Sequence, residues 1–327
     1  MKFLQGIIGK CSVVSRYMNR NNSSLSFWWL PVKKGRTGER GMEQDYFVDF
    51  SSKADYEMLF DNQGVMMLDY LGEIGKQYNP CAVAQYGLGL ISRYLEKRDE
   101  KDLRRAVIQA DWLINCMKYT EKNIARLEYE FKYDGYKMIQ EEHYISGIAQ
   151  AQAMSFLIRI YRLTGNEKYR KGVEGLFQSF LYPIMKGGVI NYDEEGRLYI
   201  EEILTEKVSC VLDGFMYGIF GVYDYYLFTK DKRAEKIWRK ACFTLEEILP
   251  EFDLKFWSRA DCYLKSPKMP ASAFYHNVHI HQLEAIFEIT KKDVFKFYAE
   301  KWLGYQNNWI YRQLAFLYKC WFKLFYY

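Results

Sequence analysis

From Tyr78 onward this 327-residue chain repeats itself, and the repeat leaves few folds open. The stretch "AVAQYGLGLISRYLEKRDEKDLRRAVIQADWLI" from Ala82 and the stretch "GIAQAQAMSFLIRIYRLTGNEKYRKGVEGLFQSFL" from Gly147 follow one plan. Each is an apolar helix of three-to-four period, a short polar turn, and then a charged amphipathic helix. The dipeptide Ala-Gln recurs at 84–85 and 149–150, and two further units of the same plan start at Val211 and His279. A unit used four times must bury each apolar face on its neighbour. The first helix of each pair is poor in charge and reads as the inner one. The second carries "EKDLRRA", "NEKYRKG" or "DKRAEKIWRK" and faces water.

The expected fold is mainly α: an incomplete α/α barrel (toroid) of about four helical hairpins, with a small N-terminal β-hairpin and irregular segment. The expected divisions are residues 1–45, an N-terminal extension with a β-hairpin; 46–308, the toroid; and 309–327, an aromatic, basic C-terminal helix. In the extension, "SLSFWWLPVKKGRTGERG" (Ser24 to Gly41) reads as a short aromatic strand and a Gly-rich basic turn.

In such a ring, equivalent positions sit at equal height. The polar entries to the inner helices (Asn79 with Gln85, His143 with Gln150, Asp213, and His276 with Gln282) are expected to converge on one mouth. Tyr78 stands beside them, and the segments Glu194 to Lys207 and Trp257 to Tyr275 are expected to overhang. A concave site ringed by helix N-termini favours an anionic ligand.

Composition narrows the ligand. With 46 basic against 41 acidic residues, the mild net charge of +5 tolerates an anion but lacks a nucleic-acid stripe. The 29 tyrosines, 22 phenylalanines and 8 tryptophans suit core packing, or a cleft for sugars. Seven scattered cysteines, never in a C-x-x-C pair, read as reduced thiols of a cytoplasmic protein. No stretch is apolar enough for a membrane span, and the N-terminus is a poor signal peptide. The C-terminal "WIYRQLAFLYKCWFKLFYY" reads either as an interfacial helix touching the inner membrane peripherally or as a last helix packed on the domain. A homodimer is also compatible with the sequence.

The chemistry-bearing stretch is "AFYHNVHIHQL" (Ala273 to Leu283), with three of the four histidines. On a helix His276 and His279 share a face while His281 points elsewhere, and no metal-ligand pattern accompanies them, so no metal or other cofactor is expected. Tyr275, with a reference pKa near 10, is a candidate proton donor, or a base if cations lower that value. In "NYDEEGRLYIEEILTEK" the turn at Asp193 to Gly196 makes a hairpin, so Glu201 and Glu202 face opposite ways and only one meets the cavity. Arg259, in the loop from Phe256 to Ser272, is a candidate carboxylate clamp.

Four blocks together carry a resemblance: "YNPCAVAQYGLGLISRYL" from Tyr78, "YISGIAQAQAMSFLIRIYRLTG" from Tyr144, "VLDGFMYGIFGVYDYY" from Val211 and "FYHNVHIHQL" from Phe274. In order and spacing, over roughly residues 42 to 306, they resemble the D-glucuronyl C5-epimerase C-terminal domain family, here a short, bacterial-type member. The resemblance implies an α/α barrel that inverts C5 of glucuronate units in a heparosan-like polymer to give iduronate. Its partner would be an anionic polysaccharide and not a nucleic acid. The C5 proton is α to a carboxylate, so its removal builds enolate-like charge that the site must neutralise, with an acid and a base on opposite faces of the ring.

Carried over residue by residue, Tyr275 matches the tyrosine of the family's "YH" element, and His276 and His279 match as well. Glu202 matches the glutamate of its "EEY" element. Tyr275, Glu202 and His276 are therefore the catalytic candidates. His279, Arg259, Gln150, Gln282, Tyr78, Asn79 and Gln85 are the substrate-binding ones. Two family tyrosines fall on Ile203 and Ala260 (Trp257 in an ungapped alignment), which leaves Tyr199 or Tyr263 as substitutes. Three readings follow: a uronate C5-epimerase, a catalytically degenerate polysaccharide-binding homologue, and a uronate lyase. The family's eukaryotic members also carry an anchor and extra β-structure before this domain, and those regions are expected to be short or absent here.

Overall fold

A computed structural model describes residues 23–35, 45–135 and 138–326. Four helical hairpins account for most of it: α1 (Pro80–Lys97) with α2 (Glu100–Cys116), α3 (Gly147–Thr164) with α4 (Glu167–Gln178), α5 (Leu212–Thr229) with α6 (Lys232–Phe252), and α7 (Ala273–Thr290) with α8 (Asp293–Asn307). The last helix is α9 (Trp309–Tyr326). The expected α/α barrel is the observed one.

The hairpin turn itself repeats. Each inner helix ends on a left-handed residue (Arg98, Gly165, Lys230, Lys291), whose N–H bonds back to the carbonyl of an aromatic residue (Tyr94, Tyr161, Tyr226, Phe287). The next residue starts the outer helix, and Asp99, Asn166 and Asp231 cap it with their side chains. Such a two-residue link forces the outer helix back along the inner one, so every hairpin has the same geometry.

Inner helices α1, α3, α5 and α7 pack in that order, each outer helix covering its partner. The gap between α1 and α7 is filled by described residues that precede the first hairpin. The turn at Ser51–Asp55 lies on α1, while the antiparallel pair β1 (Lys33–Lys34) and β2 (Val48–Asp49) lies on α7. Gly89 permits this approach, because a Cβ there would stand 2.4 Å from the Phe50 carbonyl oxygen. The aromatic run Ser24–Trp29, expected as a strand, is a 3-10 helix whose Ser23 side chain caps Leu25. It buries Phe27 and has no period-two alternation to satisfy a sheet. The basic turn at 36–41 lies outside the described residues.

Short hairpins fill the links between repeats: β3 (Leu68–Asp69) with β4 (Lys76–Gln77), β5 (Lys118–Tyr119) with β6 (Ala125–Arg126), β7 (Tyr133–Gly135) with β8 (Met138–Gln140), and β9 (Ile190–Tyr192) with β10 (Leu198–Ile200). The last of these is the hairpin expected around Asp193 to Gly196. Helix α9 docks through Ala315, Lys319 and Phe322, leaving Trp309, Ile310, Leu317 and Phe325 exposed. Among the described residues no helix is long and apolar enough to cross a membrane, and all six described cysteines are free thiols.

Candidate active site

The N-terminal ends of the four inner helices surround a cavity of about 290 Å³. Asn79, Ser146, Asp213, Phe274 and Tyr275 line it from those ends, and their first-turn N–H groups make that rim electropositive. Tyr129 and Tyr144 enter from the link after α2, and Glu202 and Ile203 from the link after β10. Trp28, Trp29 and Lys53 come from the N-terminal segment. The lining therefore mixes aromatic faces, phenols and few charges, the make-up of a small-molecule site.

The alternation of Glu201 and Glu202 holds. Glu201 is fully buried and accepts bonds from the Ser209 N–H (3.0 Å), the Ser209 hydroxyl (2.7 Å) and the Cys210 N–H (3.0 Å). It braces the loop. Glu202 turns the other way and lies flush on α5, where a Cβ on Gly214 would stand 2.2 Å from Glu202 Oε2. That oxygen has no hydrogen-bond partner. Burial, then the neighbouring Asp213, pushes the Glu202 carboxyl well above the usual carboxylate range, so it holds a proton near neutrality. Burial also raises the Tyr275 phenol, with Asp213 and Glu202 adding to the effect. The Tyr275 ring is fixed edge-on against Trp29 (5.8 Å) and Phe274 (5.3 Å).

Lys53 is the lining cation. Its Nζ donates to the Phe27 carbonyl (2.8 Å) and sits 4.1 Å from the Phe27 ring centroid. Burial lowers its pKa to about 7.

Several expected site residues are used elsewhere. His276 stacks on Trp257 at 3.7 Å, its Nδ1 faces Ser258 and its Nε2 the Trp302 carbonyl (3.0 Å). Burial lowers its pKa to about 3, so the ring stays neutral. It is absent from the cavity lining, and so are His279, Arg259, Gln150, Gln282 and Tyr78. Gln150 instead ties down β6 by bonding Leu127 N–H and the Ala125 carbonyl, and Gln282 donates to the Asp213 carbonyl. Tyr78 donates to Asp61 and packs on Trp112. Arg259 donates to the Leu264 carbonyl under Phe252. The loop carrying it is tied to α6 by the bond from Arg259 N–H to the Phe252 carbonyl and to the start of α5 by the bond from Leu212 N–H to the Ala260 carbonyl. Asn79 and Gln85 do line the cavity. A polar side chain at a helix entry has backbone to brace, and in this ring that need takes most of them.

The missing tyrosines leave different marks. Ile203 lines the cavity, whereas Ala260 packs against the cluster of Trp257, Ala271 and Ala315. Neither Tyr199 nor Tyr263 lines the cavity: the Tyr199 hydroxyl is bonded to Asp193. The lining phenols Tyr70, Tyr129, Tyr133, Tyr144 and Tyr217 are those that sequence reasoning missed. Nothing local in the sequence marks Lys53. As for metals, Glu128, Glu130 and His143 come together on the surface. Lys118 bonds both glutamates and Arg126 bonds Glu128, so their charge is already matched.

The family model for the D-glucuronyl C5-epimerase C-terminus matches residues 121–304, more than half the chain. The chain belongs to that family. A Caenorhabditis elegans D-glucuronyl C5-epimerase is 24% identical over 230 residues, which is 66% of this chain. The chain spans only 37% of that relative's length. An uncharacterised protein of Methanocaldococcus jannaschii is 22% identical over 245 residues, covering 70% of this chain and 78% of its own. Among solved structures, cellobiose 2-epimerase from Bacillus thermoamylovorans superposes with a TM-score of 0.54 at 13% identity, over 83% of this chain and 76% of that one. A family 76 glycoside hydrolase from a bovine Bacteroides thetaiotaomicron strain gives 0.52 at 14% identity, over 74% and 50%. These two likenesses concern the barrel. In the epimerase-family frame, Tyr275 and Glu202 are the matched residues that meet in the cavity.

Proposed function

We propose that this chain is a sugar epimerase acting at C5 of a uronate in a heparosan-like polymer, converting D-glucuronate to L-iduronate. One observation carries the reading: a phenol held protonated, Tyr275, shares a small aromatic cavity with the carboxyl pair Glu202 and Asp213. Inversion at C5 needs a proton donor and a proton acceptor around one carbon, plus neutralisation of the enolate-like charge. Tyr275 supplies the donor. The protonated Glu202 carboxyl supplies a hydrogen bond for the sugar carboxylate, and Lys53 a positive charge. Incubation with heparosan in deuterated water should place deuterium at C5, read by mass and NMR. Binding without uptake would sink the reading.

A second reading, a polymer-binding homologue without turnover, is favoured by Ile203 standing in the cavity where the family pattern has tyrosine. In the same experiment it predicts binding without exchange. A lyase would instead release an unsaturated, ultraviolet-absorbing product.

The pH dependence of binding follows from Lys53. Its folded pKa is lowered to about 7, so its charge is present below that pH and lost above it. Between pH 6 and 8, affinity for a heparosan oligosaccharide should fall by about tenfold, the worth of one charge-assisted hydrogen bond. Calorimetric titration of Lys53→Gln should show a weaker, flatter profile, and an unchanged slope would contradict the assignment.

A further inference from the structure

Behind the cavity wall runs a chain of hydrogen bonds whose proton positions geometry alone determines. His276 Nε2 lies 3.0 Å from the Trp302 carbonyl oxygen, which can only accept, so Nε2 carries the proton. Its Nδ1 must then be the acceptor. It takes the Ser258 N–H (3.1 Å) and, at 2.7 Å, the Ser258 hydroxyl proton. With that proton committed, Ser258 Oγ accepts from His279 Nδ1 at 2.9 Å. A neutral His279 is thus left with a bare lone pair on Nε2. That nitrogen is fully buried and has no hydrogen-bond partner. Its nearest anionic neighbour is Asp213 Oδ1 at 3.9 Å. Asp213 itself lines the cavity, in the first turn of α5.

An orphaned acceptor in a sealed pocket is unfavourable, by about 1–3 kcal/mol, unless a proton visits it. Five fixed groups (the Trp302 carbonyl, His276, Ser258, His279 and Asp213) lead from the protein interior to the cavity, and His279 Nε2, buried and without a hydrogen-bond partner, faces the carboxyl. We infer that Asp213 is the proton acceptor of the C5 reaction, and that His279 is the positioning residue behind it, presenting Nε2 to hold the acquired proton. The step balances without a co-reactant. The C5–H bond breaks, its electron pair moves into the sugar carboxylate as an enediolate, and the proton goes to Asp213. Tyr275 then gives its phenolic proton to the other face of C5. The phenolate recovers a proton, and Asp213 releases one, through solvent when product leaves. In the reverse direction the two groups exchange roles.

The inference rests on the epimerase reading, and the test separates the two. C5 deuterium uptake by a heparosan oligosaccharide is measured with the full chain, Asp213→Asn, His279→Gln and the double variant. Asp213→Asn should lower uptake by about a hundredfold. His279→Gln should lower kcat by about tenfold with KM unchanged, and the double variant should be no slower than Asp213→Asn alone, because the two act as one unit. Uptake by Asp213→Asn within twofold of the unmodified chain overturns the inference and leaves the epimerase reading standing. No uptake by the unmodified chain with any uronate polymer removes both. Should Asp213→Asn fail to fold, ¹⁵N NMR of the unmodified chain still decides. The inference requires the proton of neutral His279 on Nδ1, and a proton found on Nε2 overturns it.

Discussion

Replacing Tyr275 by phenylalanine should lower C5 exchange by about a thousandfold, within the range that a positioned acid or base contributes, and leave the fold intact. The substitution is close to isosteric where it matters. The ring's edge contacts to Trp29 and Phe274 survive. What disappears is the proton. Burial and two neighbouring carboxyl groups hold the phenol above its ordinary value. Tyr275 therefore stays protonated through the neutral range, and its own titration should put no limb on the rate below pH 9. In this state it can only give a proton to C5. The return step, from a tyrosinate beside Asp213 and Glu202, is driven by the same repulsion that raises the phenol. Measurement is by deuterium uptake, with thermal melting as the control for folding. Uptake within tenfold of the unmodified chain would move the donor role to another lining phenol, such as Tyr129 or Tyr144.

How much of this was legible in the sequence depends on how far apart the interacting residues lie. The four hairpins were legible because periodicity and polar turns are local, and because a repeat checks itself. The opposite facing of Glu201 and Glu202 was legible because neighbouring residues of an extended chain point to opposite sides, and this carries on just past the end of β10 at Ile200. The closing role of residues 33–55 was not, since no local pattern announces that a two-residue strand pair and one 3-10 turn fill a gap between the first and last inner helices. Lys53 was invisible for the same reason: its neighbours in space, Phe27 and Phe50, define its chemistry. The histidines show the limit most plainly. Their shared face was readable from the i, i+3 spacing, but it packs behind the cavity wall, with His276 on Trp257 and His279 between Trp302 and Asp213. Helical phase fixes which residues go together, and tertiary packing fixes where they go. Gln150 and Gln282 lie off the cavity lining on the same ground, because their amides bond backbone.

The stability of the ring should depend most on a group far from the chemistry. Arg159 of α3 is almost fully buried and places all five of its N–H donors. Nε and Nη2 donate to the Asp45 carbonyl (3.1 and 2.6 Å), Nη1 to the Ser155 carbonyl (2.8 Å), and Nη1 and Nη2 to the two oxygens of Asp224 on α5 (2.7 and 3.4 Å). One guanidinium thus joins two inner helices to the segment that closes the barrel. Asp224 lies eleven residues after Asp213 on the same helix, about 16 Å along its axis, so the ion pair sits at the end of the ring opposite the cavity. Arg159→Met should cost about 3–5 kcal/mol, because it leaves the Asp224 carboxylate buried without a partner. It also frees the Asp45 carbonyl, and with it the hold on Tyr46 and Phe47 against Tyr217 and Phe220. The midpoint of thermal unfolding should fall by about 10 °C, at some 2–4 °C per kcal/mol for a domain of this class. Asp224→Leu alone should be comparably harmful, for it strands the positive charge instead. The double variant should recover most of the loss, since two apolar side chains of similar volume remove both desolvation penalties together. A surface pair is the contrast: Lys118→Ala, which breaks exposed contacts to Glu128 and Glu130, should change stability by less than about 1 kcal/mol. Denaturant titration of the four variants reads all of this. If Arg159→Met and the double variant lose the same stability, the closing segment is held by packing alone and the ion pair is incidental to it.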